Sequence, residues 1–232
     1  MPSSWPTGQV CHWKELREAA AAIVCSPSET AARDRVSQYD KWEEIYKKYR
    51  SESLPWELGE PRPVLVELIK SQKVTPKGKA LDICCGLGTN TIYLAQAGFE
   101  TTGLDISKTA VARAKAKALQ AGVDIRFLVS SALDFAFKTD EFDFIFDMGC
   151  FHHILPADRP RFIHGIRRVL KEGRHYFMVC FSDRNGSAWN HFSKGEILNI
   201  FSPHFDLMDM QHFSSLEGDG RIRFFYATLL RR

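Results

Sequence analysis

Apolar and polar positions follow three different patterns along the chain, and the central pattern is the most regular. From about residue 79, short and continuously apolar runs alternate with stretches of helical periodicity. Apolar strands without a polar face are typical of a parallel sheet that helices cover on both sides. The sequence therefore predicts an α/β core whose strands cover residues 80–84, 100–105, 124–129, 142–147 and 176–181.

Glycines mark the ends of the helices in this core, and the last segment of the chain predicts a further helix and a hairpin. Helices are expected between the strands, closed by Gly98, Gly122 and a turn around Gly173. Near the end, a helix is expected over residues 193–201, followed by two apolar stretches that flank the turn sequence Glu-Gly-Asp-Gly. We predict a Rossmann-like, doubly wound sheet of seven mostly parallel strands that ends in an antiparallel hairpin.

The first 78 residues are predicted to form a helical extension. A capping box, Ser26-Pro27-Ser28-Glu29, separates two helices. In the second helix, aromatic residues recur at spacings of three and four, at Tyr39, Trp42, Tyr46 and Tyr49. Three prolines within residues 51–63 indicate an ordered loop. We assign residues 1–78 to this cap, which would act as a lid, and residues 79–232 to the core.

Composition narrows the functional classes. The 232 residues are 44% hydrophobic and 25% charged, which is typical of a globular protein. The small net charge of +3 argues against a nucleic-acid partner. Because there is neither an apolar run of about 18 residues nor a signal-peptide pattern, we expect no membrane partner and a cytoplasmic protein. Six cysteines without zinc spacing predict reduced, buried thiols and no metal site.

The candidate chemistry lies at the turn after the first strand, where residues 81–89 read Leu-Asp-Ile-Cys-Cys-Gly-Leu-Gly-Thr. Gly86 and Gly88 allow the backbone to approach a ligand, and the following helix start presents unpaired N–H groups. Asp105 ends the second strand, where a carboxylate can accept from both hydroxyls of a ribose. Together these features predict an adenosine-containing ligand.

Two features distinguish a dinucleotide from S-adenosylmethionine. The third glycine of the dinucleotide motif is replaced by Thr91. Asp82 precedes the glycines, where a carboxylate would repel a pyrophosphate but would suit a ligand that carries an ammonium and a sulfonium. The electrostatics favour S-adenosylmethionine, and a dinucleotide oxidoreductase remains an alternative.

From about residue 76 onward, the sequence resembles the class I S-adenosylmethionine-dependent methyltransferases. The resemblance rests on the glycine-rich motif and on four later segments: Thr-Gly-Leu-Asp-Ile-Ser at 102–107, Phe-Asp-Phe-Ile-Phe-Asp at 142–147, Phe-His-His at 151–153 and Arg-Val-Leu-Lys-Glu-Gly at 168–173. Two positions depart from the family pattern. Cys84 replaces the first glycine, which requires a β-region backbone, and Ser131 stands where the family usually has Asp.

The resemblance implies a cofactor site for S-adenosylmethionine, with S-adenosylhomocysteine as product. Asp82 would bind the methionine amino group, Asp105 the ribose hydroxyls, and Asp147 would face the reaction chamber as a cofactor-side and catalytic residue. The other implied cofactor residues contact the methionine part or the adenine: Cys84, Gly86, Gly88, Asn90, Ile106, Ser131, Ala132 and Leu133.

Candidate acceptor-side residues follow the fourth strand or lie in the cap. His152 could take a proton from a thiol or hydroxyl, and we select it as catalytic in preference to His153. Tyr46, together with Tyr39, Trp42 and Tyr49 of the same stripe, could close over the sulfonium as an aromatic lid, and Trp56 in the following loop is a further candidate. Each candidate also has a purely structural interpretation, in which the histidines bond to backbone and the aromatic stripe packs. Cys84, Cys85 and Cys150 are expected to be structural rather than a site for a thiophilic substrate.

The sequence therefore predicts in-line methyl transfer to a small-molecule acceptor. The loop Pro-Trp-Glu-Leu-Gly-Glu-Pro at 55–61 is similar to one in methyltransferases that act on thiols, halides and other soft acceptors. A thiol or another soft nucleophile is the favoured acceptor. The alternatives are a protein or nucleic-acid methyltransferase and a non-catalytic partner subunit that binds the cofactor.

Overall fold

The computed structural model describes the backbone of residues 31–232 and the side chains from residue 40 onward. The helices are α1 (Ala31–Lys48), α2 (Pro63–Lys70), α3 (Thr89–Ala97), α4 (Lys108–Gln120), α5 (Arg159–Val169) and α6 (Lys194–Phe201). The strands are β1 (Lys79–Ile83), β2 (Glu100–Asp105), β3 (Arg126–Val129), β4 (Phe142–Met148), β5 (Leu170–Phe181), β6 (Asp206–Leu216) and β7 (Ile222–Arg231). The capping box at residues 26–29, the helix predicted before it and the side chain of Tyr39 lie outside the described residues.

The strands form one seven-stranded sheet in the order β3-β2-β1-β4-β5-β7-β6. Strands β1 to β5 pair in parallel, and β7 runs antiparallel to both β5 and β6. This confirms the predicted doubly wound α/β sheet with a closing antiparallel hairpin. The strand order reverses between β1 and β4, so their carboxyl ends border the crevice in which such sheets bind ligands.

Both faces of the sheet are buried, which explains the continuous apolar runs. Leu81, Ile83 and Ile145 pack into one cluster, while Phe144 and Phe146 pack into the cluster on the opposite face. Burying a large apolar side chain contributes about 1.5–3 kcal/mol, so the central strands hold the sheet together. In the described part of the chain, no helix is both long and apolar enough to cross a bilayer.

The predicted start of β5 is wrong. The sequence indicated a turn around Gly173 followed by a strand from residue 176, but β5 begins at Leu170, directly after α5. Gly173 keeps a left-handed φ of 71° within the strand, and its N–H donates to the carbonyl of Arg232 at 2.8 Å. The chain terminus therefore pairs with the segment that the sequence assigned to a turn.

Helix α1 docks on α4 of the core through a buried carboxylate. Glu43 accepts hydrogen bonds from the hydroxyl of Ser107 at 2.7 Å and from the N–H and hydroxyl of Thr109 at 3.1 and 2.8 Å. A carboxylate at a helix N-terminus also interacts favourably with the helix dipole. Tyr46 and Tyr49 bury their rings in the same interface, so the packing interpretation of the aromatic stripe is confirmed for these two residues.

Candidate active site

The glycine-rich turn between β1 and α3 is fastened to the end of β2. The N–H of Cys85 donates to the carbonyl of Leu104 at 2.9 Å, and the N–H of Gly86 donates to Asp105 Oδ2 at 2.8 Å. Gly86 has a φ of 54°, and a Cβ there would lie 2.8 Å from Tyr46 Oη. Only glycine therefore fits beneath the cap at this position.

Two expectations about this turn are wrong. Cys84 has a φ of 56°, so the residue that replaces the first glycine adopts the left-handed conformation rather than a β-region angle. A Cβ on Gly88 would meet Ala114 at 3.0 Å and Phe127 at 3.1 Å. Gly88 therefore lets α3 pack against its neighbours, and neither Gly86 nor Gly88 lines the cavity described below.

A cavity of about 650 Å³ opens at the carboxyl ends of the parallel strands. Its size lies within the range of about 300–1,000 Å³ that is usual for small-molecule sites. The structure brings ten predicted site residues to its wall. Those of the predicted cofactor side are Cys84, Asp105, Ile106, Ser131, Ala132 and Leu133. Those of the predicted acceptor side are Tyr46, Trp56, His152 and His153.

Asp105 presents a fixed carboxylate to this cavity. Its Oδ1 accepts from the N–H of Ser107 at 2.9 Å, and its Oδ2 accepts from Gly86. Each carboxylate oxygen has two acceptor positions, so both can still accept a hydroxyl. Burial raises the pKa of Asp105 to about 6, although hydrogen bonds from the backbone N–H groups of Ser107 and Gly86 oppose this shift.

Asp82 and Asp147 do not line the cavity, which corrects the expectation that Asp147 faces the reaction chamber. Asp147 is fully buried and accepts from the N–H groups of Cys150 at 2.7 Å and Phe151 at 3.1 Å and from the hydroxyl of Tyr176 at 2.8 Å. These bonds hold the turn after β4. Asp82 lies behind the glycine-rich turn, where Thr91 Oγ1 donates to its Oδ2 at 2.6 Å.

The three strand-end carboxyls form a cluster with unbalanced charge. Burial raises the pKa of both Asp82 and Asp147 to about 7, and the two carboxyls also repel each other. Within the part of the chain whose side chains are described, no Lys or Arg is paired with Asp82, Asp105 or Asp147. A cationic ligand bound nearby would relieve this repulsion.

Aromatic rings form a continuous arc along the wall of the cavity. The Trp42 ring lies 5.6 Å from Trp56 and 5.0 Å from His153, between ring centroids. The arc continues from His153 to His152 at 4.5 Å and then to Phe181 at 4.0 Å. Such rings attract a cation by about 0.5–2 kcal/mol and also bury apolar groups. Trp42 belongs to the aromatic stripe that the sequence offered as a lid, whereas Phe181 was not among the predicted site residues.

His152 holds a tautomer unsuited to proton abstraction. The backbone N–H of Phe181 donates to its Nδ1 at 3.1 Å, so the ring proton of neutral His152 is on Nε2. Burial lowers the pKa of His152 well below 6.5 and that of His153 to about 4. The structure therefore favours the backbone-bonded interpretation of His152 over its selection as a base.

Two cysteines join the turns that flank the cavity. The structure pairs Cys84 with Cys150 in a disulfide, whereas the sequence predicted reduced thiols. They follow neighbouring strands, and their Cα atoms lie 5.6 Å apart, which is within the usual disulfide range. Cys85 and Cys180 are free thiols, and Cys11 and Cys25 lie outside the described residues.

A buried ion pair, unforeseen from the sequence, connects the cap to the hairpin. Arg62 donates from Nη1 and Nη2 to the two carboxylate oxygens of Glu217 at 2.7 and 2.8 Å, and both residues line the cavity. Nη2 also donates to the carbonyl of Trp56 at 3.0 Å. Asn90, a predicted cofactor residue, instead accepts from the N–H of Arg62 at 2.9 Å and does not line the cavity. We call the ion pair of Arg62 and Glu217 the latch.

Ser131 and its neighbours close the adenine side of the predicted site. The hydroxyl of Ser131 accepts from the N–H of Leu133 at 3.1 Å and so shapes the turn after β3. Asp134 points away and forms an exposed ion pair with Arg161. Ala132 and Leu133 give this part of the wall an apolar surface.

Comparisons with known proteins agree with this geometry. Residues 80–173 match the methyltransferase domain family. The chain is 31% identical over 165 residues to probable thiol methyltransferase 2 of Arabidopsis thaliana, covering 70% of this chain and 71% of that protein. The chain belongs to the class I S-adenosylmethionine-dependent methyltransferases.

Other relatives support the same assignment. This methyltransferase is 31% identical over 147 residues to 2-heptyl-1-hydroxyquinolin-4(1H)-one methyltransferase of Mycobacteroides abscessus, covering 61% of this chain and 64% of that protein. Across the first three curated relatives, the chain spans between 50% and 71% of their length. Their named acceptors place the methyltransferase near enzymes that modify small molecules.

Solved structures share the fold at low sequence identity. A protein studied in the conversion of a disulfide bond into a thioacetal group during echinomycin biosynthesis superposes with a TM-score of 0.75 at 22% identity, covering 84% of this chain and 92% of that one. The 1,6-didemethyltoxoflavin-N1-methyltransferase of Burkholderia thailandensis, solved with S-adenosylhomocysteine, gives a TM-score of 0.61 at 18% identity, covering 100% and 92%.

The cavity fits S-adenosylmethionine, the cofactor of this methyltransferase. The cluster of Asp82, Asp105 and Asp147 supplies negative charge without a paired cation, and the cofactor carries an ammonium and a sulfonium. Asp105 has free acceptor positions for hydroxyls, and Ile106 adds an apolar contact surface beside it. The charge of the cluster and the hydrogen-bonding capacity of Asp105 therefore both match S-adenosylmethionine.

Cofactor affinity is expected to increase with pH between about 5 and 7.5. In the free protein, the pKa values of Asp105 and Asp82 are raised to about 6 and 7, so both carboxyls are largely protonated at pH 5. A ligand with hydroxyls and a cation prefers the ionised forms, so binding at low pH must release protons. Calorimetry with S-adenosylhomocysteine in buffers of different ionisation enthalpy counts these protons. An affinity that is constant, or that decreases with rising pH, would contradict the electrostatic argument.

Proposed function

We propose that this methyltransferase transfers the methyl group of S-adenosylmethionine to the thiol, or to another soft nucleophile, of a small apolar molecule. The observation that carries the proposal is the aromatic arc, whose rings line the same cavity as the predicted cofactor residues. An apolar acceptor gains free energy by burying its surface there.

The charged groups of the cavity wall also favour an uncharged acceptor body. Arg62 and Glu217 neutralise each other, as do Arg223 and Asp219, which are 2.6 Å apart. A substrate with several negative charges would find few unpaired cations at this wall. This arrangement argues against nucleic acid as the methyl acceptor, because proteins bind nucleic acid through unpaired basic side chains.

The protein has to position and shield the reactants more than activate them. The bound sulfonium supplies an electrophilic methyl group, so the difficult chemistry comes with the cofactor. Holding an acceptor in line with that methyl can contribute about 7–11 kcal/mol. His152 and His153 are poor bases at neutral pH because burial lowers their pKa values. An acceptor that ionises readily, such as a thiol, suits such a site.

We assign the cofactor contacts as follows. Asp105 accepts from the ribose hydroxyls, and Ile106, Ala132 and Leu133 surround the adenine, all four being cavity residues. Asp82 acts on the methionine ammonium through its charge from behind the glycine-rich turn, because its side chain does not line the cavity. In this assignment Asp147 shapes the turn after β4 and takes no part in catalysis.

The cap and the core both contribute to the wall of the cavity. Of the lining residues, Trp42 and Tyr46 belong to α1 and Trp56 belongs to the loop before α2, while His152, His153 and Phe181 of the arc belong to the core. The described part of the predicted cap, residues 31–78, would thus act as a lid that excludes water from the transfer. The latch holds the loop of this lid against the hairpin.

A screen for S-adenosylhomocysteine release tests the proposed function. Purified protein is incubated with S-adenosylmethionine and panels of thiols, phenols, carboxylates, amines, a protein extract and transfer RNA. We expect the highest turnover with apolar thiols. Release with protein or RNA but with no thiol would contradict the proposed acceptor. Cofactor binding without release from any panel would instead support a non-catalytic partner subunit.

A further inference from the structure

Two histidines on the cavity wall hold opposite tautomers. His152 accepts a backbone N–H at Nδ1, so its proton is on Nε2. His191 has its Nδ1 2.6 Å from the carbonyl of Gly186, and because a carbonyl can only accept, the proton of His191 is on Nδ1. The Nε2 of His191 therefore keeps its lone pair. Of these two rings, only His191 can take a proton at Nε2 without first changing tautomer.

The segment that carries His191 is anchored at the cavity. Arg159 Nη2 donates to the carbonyl of Trp189 at 3.1 Å, and the His191 ring lies 5.5 Å from Phe181, the last ring of the arc. Phe181 separates His191 from His152, with which it stacks at 4.0 Å. The half-buried His191 thus extends the arc on the acceptor side.

Asn190 adds a polar group next to this imidazole. Its side chain is 7% exposed and lines the cavity. Among the described residues, Asn190 forms no side-chain hydrogen bond, and its amide is not among the fully buried polar atoms that lack a partner, which are represented by Thr228 Oγ1. The Asn190 amide is therefore open to the cavity, where a ligand can bond to it.

We propose that His191 Nε2 accepts the proton of the acceptor thiol and that the Asn190 amide positions this acceptor, an inference that rests on the proposed function. His191 becomes an imidazolium as the thiol becomes a thiolate. The thiolate sulfur forms a bond to the methyl carbon while the bond from that carbon to the sulfonium sulfur breaks, leaving its electron pair on that sulfur. His191 then releases the proton to solvent.

The test compares thiols of different acidity in the parent and in the His191→Gln variant. With alkyl thiols, which are protonated at neutral pH, we expect kcat/KM of the variant to fall about 100-fold, the low end for loss of a general base. With acidic aryl thiols, which are already ionised, the variant should react at nearly the parental rate. His164→Gln, an exposed histidine on α5, is the matched control and should match the parent throughout.

The outcomes separate the two proposals. Equal losses with alkyl and aryl thiols would show that His191 is structural and would overturn the inference. Nitrogen-15 chemical shifts of the ring provide a readout without substrate, and a proton found on Nε2 of His191 would also overturn it. If the parental enzyme is inactive with every thiol, the proposed function is refuted. The role of His191 is then refuted as well, because no thiol proton is transferred.

Discussion

The Asp105→Asn variant should bind S-adenosylmethionine at least about 100-fold more weakly than the parent, because hydrogen bonds to a charged acceptor contribute about 1.5–3 kcal/mol each and two ribose hydroxyls depend on this carboxylate. The amide retains the size of the carboxyl group but has one oxygen instead of two. In the parent, both oxygens are already fixed by the N–H groups of Ser107 and Gly86. Calorimetric titration with S-adenosylmethionine measures the effect.

Two controls make this result specific. Asp124→Asn removes an exposed carboxylate just before β3 and should leave the cofactor affinity at the parental value. Thermal unfolding of the Asp105→Asn variant without ligand should remain cooperative. Parental affinity in a folded Asp105→Asn variant would refute the assignment of Asp105 to the ribose.

Breaking the latch should cause the largest loss of stability. Arg62→Ala leaves the Glu217 carboxylate buried without its partner, which typically costs about 3–5 kcal/mol. For a domain of this size, such a loss lowers the melting temperature by roughly 10 °C. The effect can be measured by urea and thermal unfolding. KM for the acceptor should also rise, because the loop that carries Trp56 loses the hydrogen bond from Arg62 to its carbonyl.

Matched variants separate the buried pair from ordinary surface pairs. Arg231→Ala breaks the pair of Arg231 with Asp206, whose side chains are 43% and 69% exposed, and should cost less than about 1 kcal/mol. Combining Arg62→Met with Glu217→Leu removes both charges and should restore most of the lost stability. A single Arg62→Ala variant as stable as Arg231→Ala would contradict the role of the latch.

The sequence predicts the fold and the cofactor side of the cavity because both depend on local patterns. Continuous apolar runs identify the parallel strands, and a strand-end acid such as Asp105 lies where the topology of the sheet requires it. Glycine spacing, however, does not reveal what each glycine faces. Gly86 lies under Tyr46, whereas Gly88 faces Ala114, and this difference arises only when α1 and α4 pack.

The acceptor side could not be predicted in the same way, because its features depend on contacts between distant segments. Arg62 and Glu217 are 155 positions apart, and neither residue type indicates its partner. The histidine tautomers are set by backbone groups of Phe181 and Gly186, which no motif encodes. Prediction from residue type therefore selected His152 as the base, whereas the hydrogen bonds of the structure favour His191 for that role.

The position of β7 between β5 and β6 has a consequence for biosynthesis. During translation, the parallel strands β1 to β5 can pair as soon as they leave the ribosome, but β6 joins the sheet only through β7. Glu217 and the turn that follows it are therefore fixed only after residue 231 has been made. A nascent chain stalled before β7 would carry the glycine-rich turn and Asp105 without a closed acceptor wall.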